Sequence, residues 1–191
     1  MWKSEKRIKF RQVSLKIDKK KEYKSIQLDF VVKSKDDRGC SMIEQYEVNP
    51  STLALIPLTA KTSRVEEIET SYIVNQSTTE IIDASCRFFG SSYLGRLEGT
   101  KTLLGVNYKA PIIIEESTEL IFFPTSSPRF DDCYWISIGH LREYRKKDYG
   151  SEVLFETGFS LPLNISYGSL QNQVLRATRL QVVLRRRKLT K

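Results

Sequence analysis

The sequence predicts a mainly β, α+β chain: an antiparallel sandwich or barrel-like sheet with an amphipathic helix near its C-terminal end. Three observations carry this. From Tyr46 onward the apolar residues fall in short runs bounded by Gly, Pro, Ser or Asn, the pattern of strands. The runs follow one another closely, which favours antiparallel packing over long crossover connections. Only near the end does the spacing turn helical, with Leu170, Val174, Ala177 and Leu184 near i, i+4, i+7 and i+14. At 191 residues there is room for one domain with a sizeable core.

In chain order, Leu53–Ile56 reads as a short buried strand closed by Pro57. Ser71–Val74 and Glu80–Ile82 read as two arms of a hairpin, with the polar stretch Asn75–Thr79 between them. Further strands are expected at Leu103–Tyr108, Ile112–Ile114, Leu120–Phe123 and Tyr134–Ile138. Val153–Phe155 and Phe159–Leu161 flank Gly158 as a second hairpin. The helix is expected over about 168–185, capped by Ser166 or Ser169, with Gln173, Arg176 and Arg179 away from its apolar stripe.

The formal charge is +8 and the pI about 9.4, but the excess sits at the ends. Residues 1–41 hold 13 Lys+Arg against 6 Asp+Glu, and 185–191 hold five basic residues and no acid. The body between is slightly acidic, so a binding reading needs a local patch rather than the whole-chain pI. One exists at 85–109, where Arg87, Arg96, Lys101 and Lys109 face only Glu98. The chain thus divides into a basic extension (1–41), a domain (42–184) and a basic tail (185–191). The extension reads either as a flexible basic arm or as an upstream region translated with the protein. In the second case Met42 is the start, because Arg38-Gly39 can be encoded by a purine-rich stretch resembling a ribosome-binding site.

Catalytic readings find little support. Gly90 to Gly95 has P-loop glycine spacing, but Arg96-Leu97 replaces the Lys-Ser/Thr that would hold phosphates and Mg²⁺. Cys40, Cys86 and Cys133 are scattered without Cys-x-x-Cys spacing, and with one histidine, His140, they make neither a disulfide framework nor a conventional zinc site. The acid pairs Glu115-Glu116 and Asp131-Asp132 are adjacent rather than facing and read as solvated loops. No cofactor motif is present. No apolar run approaches the ~20 residues that span a bilayer, and no signal-type segment opens the chain, so the reading is cytoplasmic.

The stretch Ser85–Thr100 (Ser-Cys-Arg-Phe-Phe-Gly-Ser-Ser-Tyr-Leu-Gly-Arg-Leu-Glu-Gly-Thr) fits neither a plain loop nor a plain strand. Its glycines allow positive φ or close approach to a ligand, its arginines bind phosphate or enter a narrow groove, and Ser91, Ser92 and Tyr93 add hydroxyl donors. The other reading is a turn between two strands, with Phe88 and Phe89 in the core.

Ile81-Ile82-Asp83, Ser85 to Tyr93, Gly95-Arg96 and Gly99-Thr100 closely resemble the ComK family of competence transcription factors. The likeness continues in order through Tyr46-Glu47-Val48-Asn49, Pro111-Ile112, Phe123-Pro124-Thr125, Trp135-Ile136-Ser137, Leu161-Pro162, Ile165-Ser166-Tyr167, Asn172-Gln173-Val174 and Arg176, covering about 44–180. The resemblance implies a sequence-specific DNA-binding activator of late competence (DNA-uptake) genes. Such a protein reads A/T-rich boxes through the minor groove and self-associates as a dimer or higher on its sites. It implies a cytoplasmic, nucleoid-associated location, no enzymatic activity and no cofactor. Family members continue past the C-terminal helix into a segment linked with activation and with proteolysis through an adaptor and a Clp-type protease. Here that segment reads as missing or replaced, so the alternative is a truncated DNA-binding or protein-interaction remnant without activator function. The expected DNA-binding residues are Arg87, Ser91, Ser92, Tyr93, Arg96 and Lys101, assisted by Arg129, His140, Arg176 and Arg179. The Arg142–Lys147 cluster is a second-line phosphate contact or a solvated face. Phe88, Phe89 and Tyr93 are candidate wedges, with core packing favoured for both phenylalanines. The helix either covers the sheet or presents Arg176 and Arg179 to DNA or a second subunit.

Overall fold

The structure, a computed structural model, describes residues 41–189; residues 1–40 of the basic extension, with Cys40 and the strand-like alternation at Ile26–Val32, and residues 190–191 of the tail lie outside the described residues. Two sheets and three helices make up the rest. The strands are β1 (Ser41–Ile43), β2 (Thr52–Pro57), β3 (Ser63–Glu67), β4 (Ser71–Val74), β5 (Ile112–Glu115), β6 (Leu120–Pro124), β7 (Trp135–Ser137), β8 (Leu141–Lys147), β9 (Gly150–Phe155) and β10 (Ser160–Leu163). The helices are α1 (Thr78–Phe88), α2 (Tyr93–Leu104) and α3 (Tyr167–Leu189). The first seven strands form one sheet in the order β1-β4-β3-β2-β7-β6-β5, and the last three form a second in the order β10-β9-β8. Every pairing is antiparallel except β1 with β4.

The large sheet is buried on both faces, which explains why its central strands are apolar runs rather than alternations. In β6, Ile121 and Phe123 enter one core and Leu120 and Phe122 the other; in β7, Ile136 and Trp135 divide the same way. The first core is closed by α3 and the small sheet through Leu170, Val174, Ala177, Leu180, Val153 and Phe155. The second is closed by α1 through Ile81, Ile82 and Cys86. The mainly β architecture with a C-terminal helix is as the sequence predicts, and Gly158, at φ 85°, turns the expected second hairpin into β10. The helix runs four residues beyond 185, to Leu189, and Ser166 Oγ accepts the Ser169 amide at 3.2 Å.

Four expectations are corrected. Glu80–Ile82 is the first half of α1, not a hairpin arm, because Ser77 and Glu80 cap a helix there. Leu103 and Leu104 end α2 instead of opening a strand; Gly105, at φ 66°, stops the helix and 105–111 is irregular. Ser85–Thr100 is the end of α1, a turn and most of α2, not a link between strands. Gln173 is buried with the α3 stripe, at 3% exposure. Strands β1, β3 and β8 have no counterpart among the expected elements.

Candidate nucleic-acid interface

The segment that carries the family likeness begins at a capping box. Ser77 Oγ accepts the Glu80 amide at 3.2 Å and Glu80 Oε2 accepts the Ser77 amide at 2.7 Å, satisfying two donors that a helix start leaves open. Ile81, Ile82, Ser85 and Cys86 then recur at helical spacing and are fully buried. Ser85 Oγ donates to Ile81 O at 2.6 Å and accepts the Val48 amide at 2.9 Å, tying α1 to the segment before β2. At the other end the Phe89 amide returns to Ser85 O, Gly90 takes φ 75° and the Ser91 amide reaches Cys86 O at 2.9 Å. A residue with a Cβ is strained at that φ, so the glycine is what lets the chain reverse.

Ser92 then caps α2, accepting the Gly95 amide at 3.1 Å. Asp83 locks the two helices together: Oδ1 accepts the Tyr93 amide at 2.9 Å and Oδ2 accepts Arg87 Nε at 2.7 Å. The Arg87 guanidinium, and then the Tyr93 amide, hold the Asp83 carboxyl below its ordinary range. The Tyr93 ring meets Trp135 edge-on at 6.1 Å, and burial pushes its hydroxyl up to about 12. Burial likewise pushes the Cys86 thiol to about 11 against the opposing charge of Arg96, so this cysteine is an inert core group.

The structure gathers Arg87, Ser91, Ser92, Tyr93, Arg96 and Lys101 on this helix pair, but in unequal states. Arg87 is exposed at 68% of its side chain. Arg96 is mostly enclosed, with Nη1 3.4 Å from Glu116 Oε1, and Lys101 pairs with Glu98 at 2.9 Å. Arg129 is exposed, on a loop tied to α1 by the Thr79 hydroxyl donating to Pro128 O, and its charge reaches the Tyr93 hydroxyl. The other three lie apart from the pair. His140 Nε2 bonds Pro50 O at 2.7 Å, and Arg176 donates to Tyr108 O with its guanidinium 4.8 Å from the Tyr108 ring centre. Arg179 is exposed on α3. In the Arg142–Lys147 cluster on the exposed strand β8, Arg145 and Lys147 share Glu152 of β9.

The expectation of core packing for both phenylalanines fails at one of them. Phe89 packs partly against the second core, but Phe88 is 64% exposed and rests edge-on against Phe89 at 5.0 Å. Helix periodicity explains the split: positions 78, 81, 82, 85 and 86 are buried, which leaves 88 on the outer face. Asp83 as the link between helices and Thr100 as a buried hydroxyl are absent from the expected set; the Ser-x-x-Glu spacing at 77–80 is the sequence signal for α1, which positions Asp83, whereas Thr100 is placed by α2.

Residues 43–188 match the family model described as ComK protein, so the match extends beyond the limit of about 180 expected from the sequence. The chain is 40% identical over 138 residues to the competence transcription factor of Bacillus subtilis (strain 168), an alignment covering 70% of this chain and 72% of that protein. No solved structure matches at a significant level. The class defined is that of a transcription factor rather than an enzyme family. The chain belongs to the ComK family. Among the described residues, no helix is long and apolar enough to cross a membrane.

Proposed function

We propose that this protein is a sequence-specific DNA-binding activator of competence genes, reading A/T-rich boxes through the minor groove with the end of α1 and the turn that follows. The observation that carries this is the adjacent pair Arg87 and Phe88, both exposed at the tip of α1 in a ComK-family chain. Narrow A/T-rich minor grooves concentrate negative potential that draws arginine in, and minor-groove proteins insert apolar wedges between base steps. Asp83 holds the Arg87 guanidinium through Nε and Phe89 backs the Phe88 ring, so both side chains are braced. Arg129 and Ser91 to Tyr93 supply phosphate contacts around them, with Arg176, Arg179 and His140 in supporting positions.

Two helices joined by a short glycine-containing turn also favour a second reading, in which α2 enters the major groove. The exposed face of α2 speaks against it: Leu94, Gly95, Glu98, Gly99 and Thr102 include no Arg, Asn or Gln to pair with base edges. Replacing A·T by I·C pairs separates the grooves, since it keeps the minor-groove acceptors and changes the major-groove pattern. Affinity by fluorescence anisotropy is expected to survive I·C substitution and to drop on G·C substitution. Loss with I·C assigns the major groove instead.

Activation is a property separate from binding. Footprinting on A/T-rich promoter DNA beside a reporter assay separates an activator from a remnant that binds without activating. Self-association on DNA, a cytoplasmic location at the nucleoid, and turnover through an adaptor and a Clp-type protease belong to the same reading.

A further inference from the structure

Between α2 and the last turn of α3 lies a groove of about 800 Å³, separate from the Arg87–Phe88 tip and meeting the turn only at Ser91. Its cations come from two distant parts of the sequence: Arg96 from α2, Arg187 and Lys188 from α3. Gly95 and Gly99 form its α2 wall. Neither glycine has a positive φ, and for Gly99 the structure gives no internal reason. A Cβ at Gly99 would meet nothing within 4 Å, whereas one at Gly95 would crowd the Ser91 and Ser92 hydroxyl oxygens at 3.3 and 3.4 Å, the second of which caps α2. Alanine is the better helix former, so what Gly99 provides is open space on the groove side.

The second observation is independent of shape. Thr100 is 1% exposed, lines the groove, and its hydroxyl has no hydrogen-bond partner. Arg96 Nε is buried and unpartnered in the same way. Buried donors left unmade are costly, and a ligand with several acceptor oxygens satisfies both. The one acid lining the groove, Glu116, holds Arg96 by a 3.4 Å contact and is 58% exposed. Lys188 is fixed independently of that carboxylate, by its bond to the Glu116 backbone oxygen.

We propose that this groove is a phosphate-binding site whose occupant is a backbone phosphodiester of bound DNA, held by Arg96, Thr100, Arg187 and Lys188. It rests on the DNA-binding reading above and adds a contact that positions the duplex without reading its sequence.

The test uses the full chain and two duplexes, A/T-rich and scrambled. Thr100→Val removes only an unpaired hydroxyl, so melting temperature holds or rises while affinity for both duplexes falls by about tenfold, the worth of one charge-assisted contact. Gly99→Leu fills the wall with a good helix former and is expected to act in the same direction. Glu116→Gln removes the competing carboxylate and raises affinity for both duplexes. Unchanged affinity in folded Thr100→Val and Gly99→Leu, while Arg87→Ala still weakens binding, overturns the groove and leaves the DNA-binding reading standing. Failure of the wild-type chain to bind any duplex overturns that reading, and DNA as the occupant with it. Inorganic phosphate distinguishes the sources: if it raises the melting temperature of the wild type but not of Thr100→Val, and the duplex affinities are unmoved, the site takes free phosphate and the DNA assignment is overturned.

Discussion

Ser85 and Phe88 sit three positions apart on one helix and have opposite consequences. The Ser85 hydroxyl is the acceptor for the buried Val48 amide and at the same time donates to Ile81 O. Ser85→Ala leaves that amide unsatisfied, and the expected loss is about 1–3 kcal/mol, read as a lower urea midpoint at unchanged slope. Phe88→Ala removes a ring that touches little besides Phe89. Its stability should stay within about 0.5 kcal/mol of wild type, while affinity for A/T-rich duplexes falls. A Phe88→Ala chain that melts normally and binds normally removes the wedge from the proposed interface. An adjacent Phe-Phe pair read from sequence alone looks like core on both counts. Only the helical period of the preceding isoleucines, serine and cysteine tells the two rings apart.

At the scale of elements, α1 shows what misleads a strand reading. The Ser77-x-x-Glu80 capping box is visible in the sequence, but Ile81-Ile82 is β-branched and follows the strand-like Ser71–Val74, so the local pattern favours a hairpin. Tertiary burial of the i, i+1, i+4, i+5 face decides for the helix. Ser77→Ala is therefore expected to cost about 1 kcal/mol, measured by denaturant midpoint. Strands β3 and β8 escaped because each has few apolar residues to mark it: Val65 is the lone aliphatic residue in β3, and β8 is mostly charged and exposed. The α1–α2 junction also carries a pH dependence. Hydrogen bonds from Arg87 and the Tyr93 amide depress the Asp83 pKa below its ordinary 3.8. A depressed carboxyl stabilises the fold fully above its unfolded pKa and loses that contribution as pH falls through the lower folded value. The stability gap between wild type and Asp83→Asn should therefore be constant near neutrality and shrink below about pH 4, in urea melts from about pH 6 to about pH 2. A gap independent of pH would mean that the Asp83 charge does not hold the junction.

Across the whole chain, the sequence conveyed the architecture where burial is two-sided and obscured it where packing alone decides. The runs Ile112–Ile114, Leu120–Phe123 and Trp135-Ile136 are unmistakable because both faces of the large sheet are covered. The candidate site was legible as a segment and as a family signature, but not as a geometry, since Asp83, Phe88 and Thr100 acquire their roles only once α1 and α2 exist. Charge is the property that sequence states best. The basic excess lies in residues 1–41 and 185–191, and the body between is slightly acidic, so affinity and discrimination should reside in different parts of the chain. Phosphate neutralisation by lysines gives affinity that is indifferent to sequence and steeply salt-dependent. Replacing Lys19, Lys20, Lys21 and Lys24 by Gln in the full chain is thus expected to lower affinity for A/T-rich and scrambled duplexes by the same factor. The slope of log K against log salt should become shallower by up to about 0.9 for each phosphate that the variant no longer neutralises. Arg87→Ala should do the reverse, cutting the ratio between the two duplexes more than the slope. Titrations over a series of salt concentrations measure both quantities together. A fall in the ratio for the lysine variant would place sequence reading in the extension and take it from the α1–α2 tip.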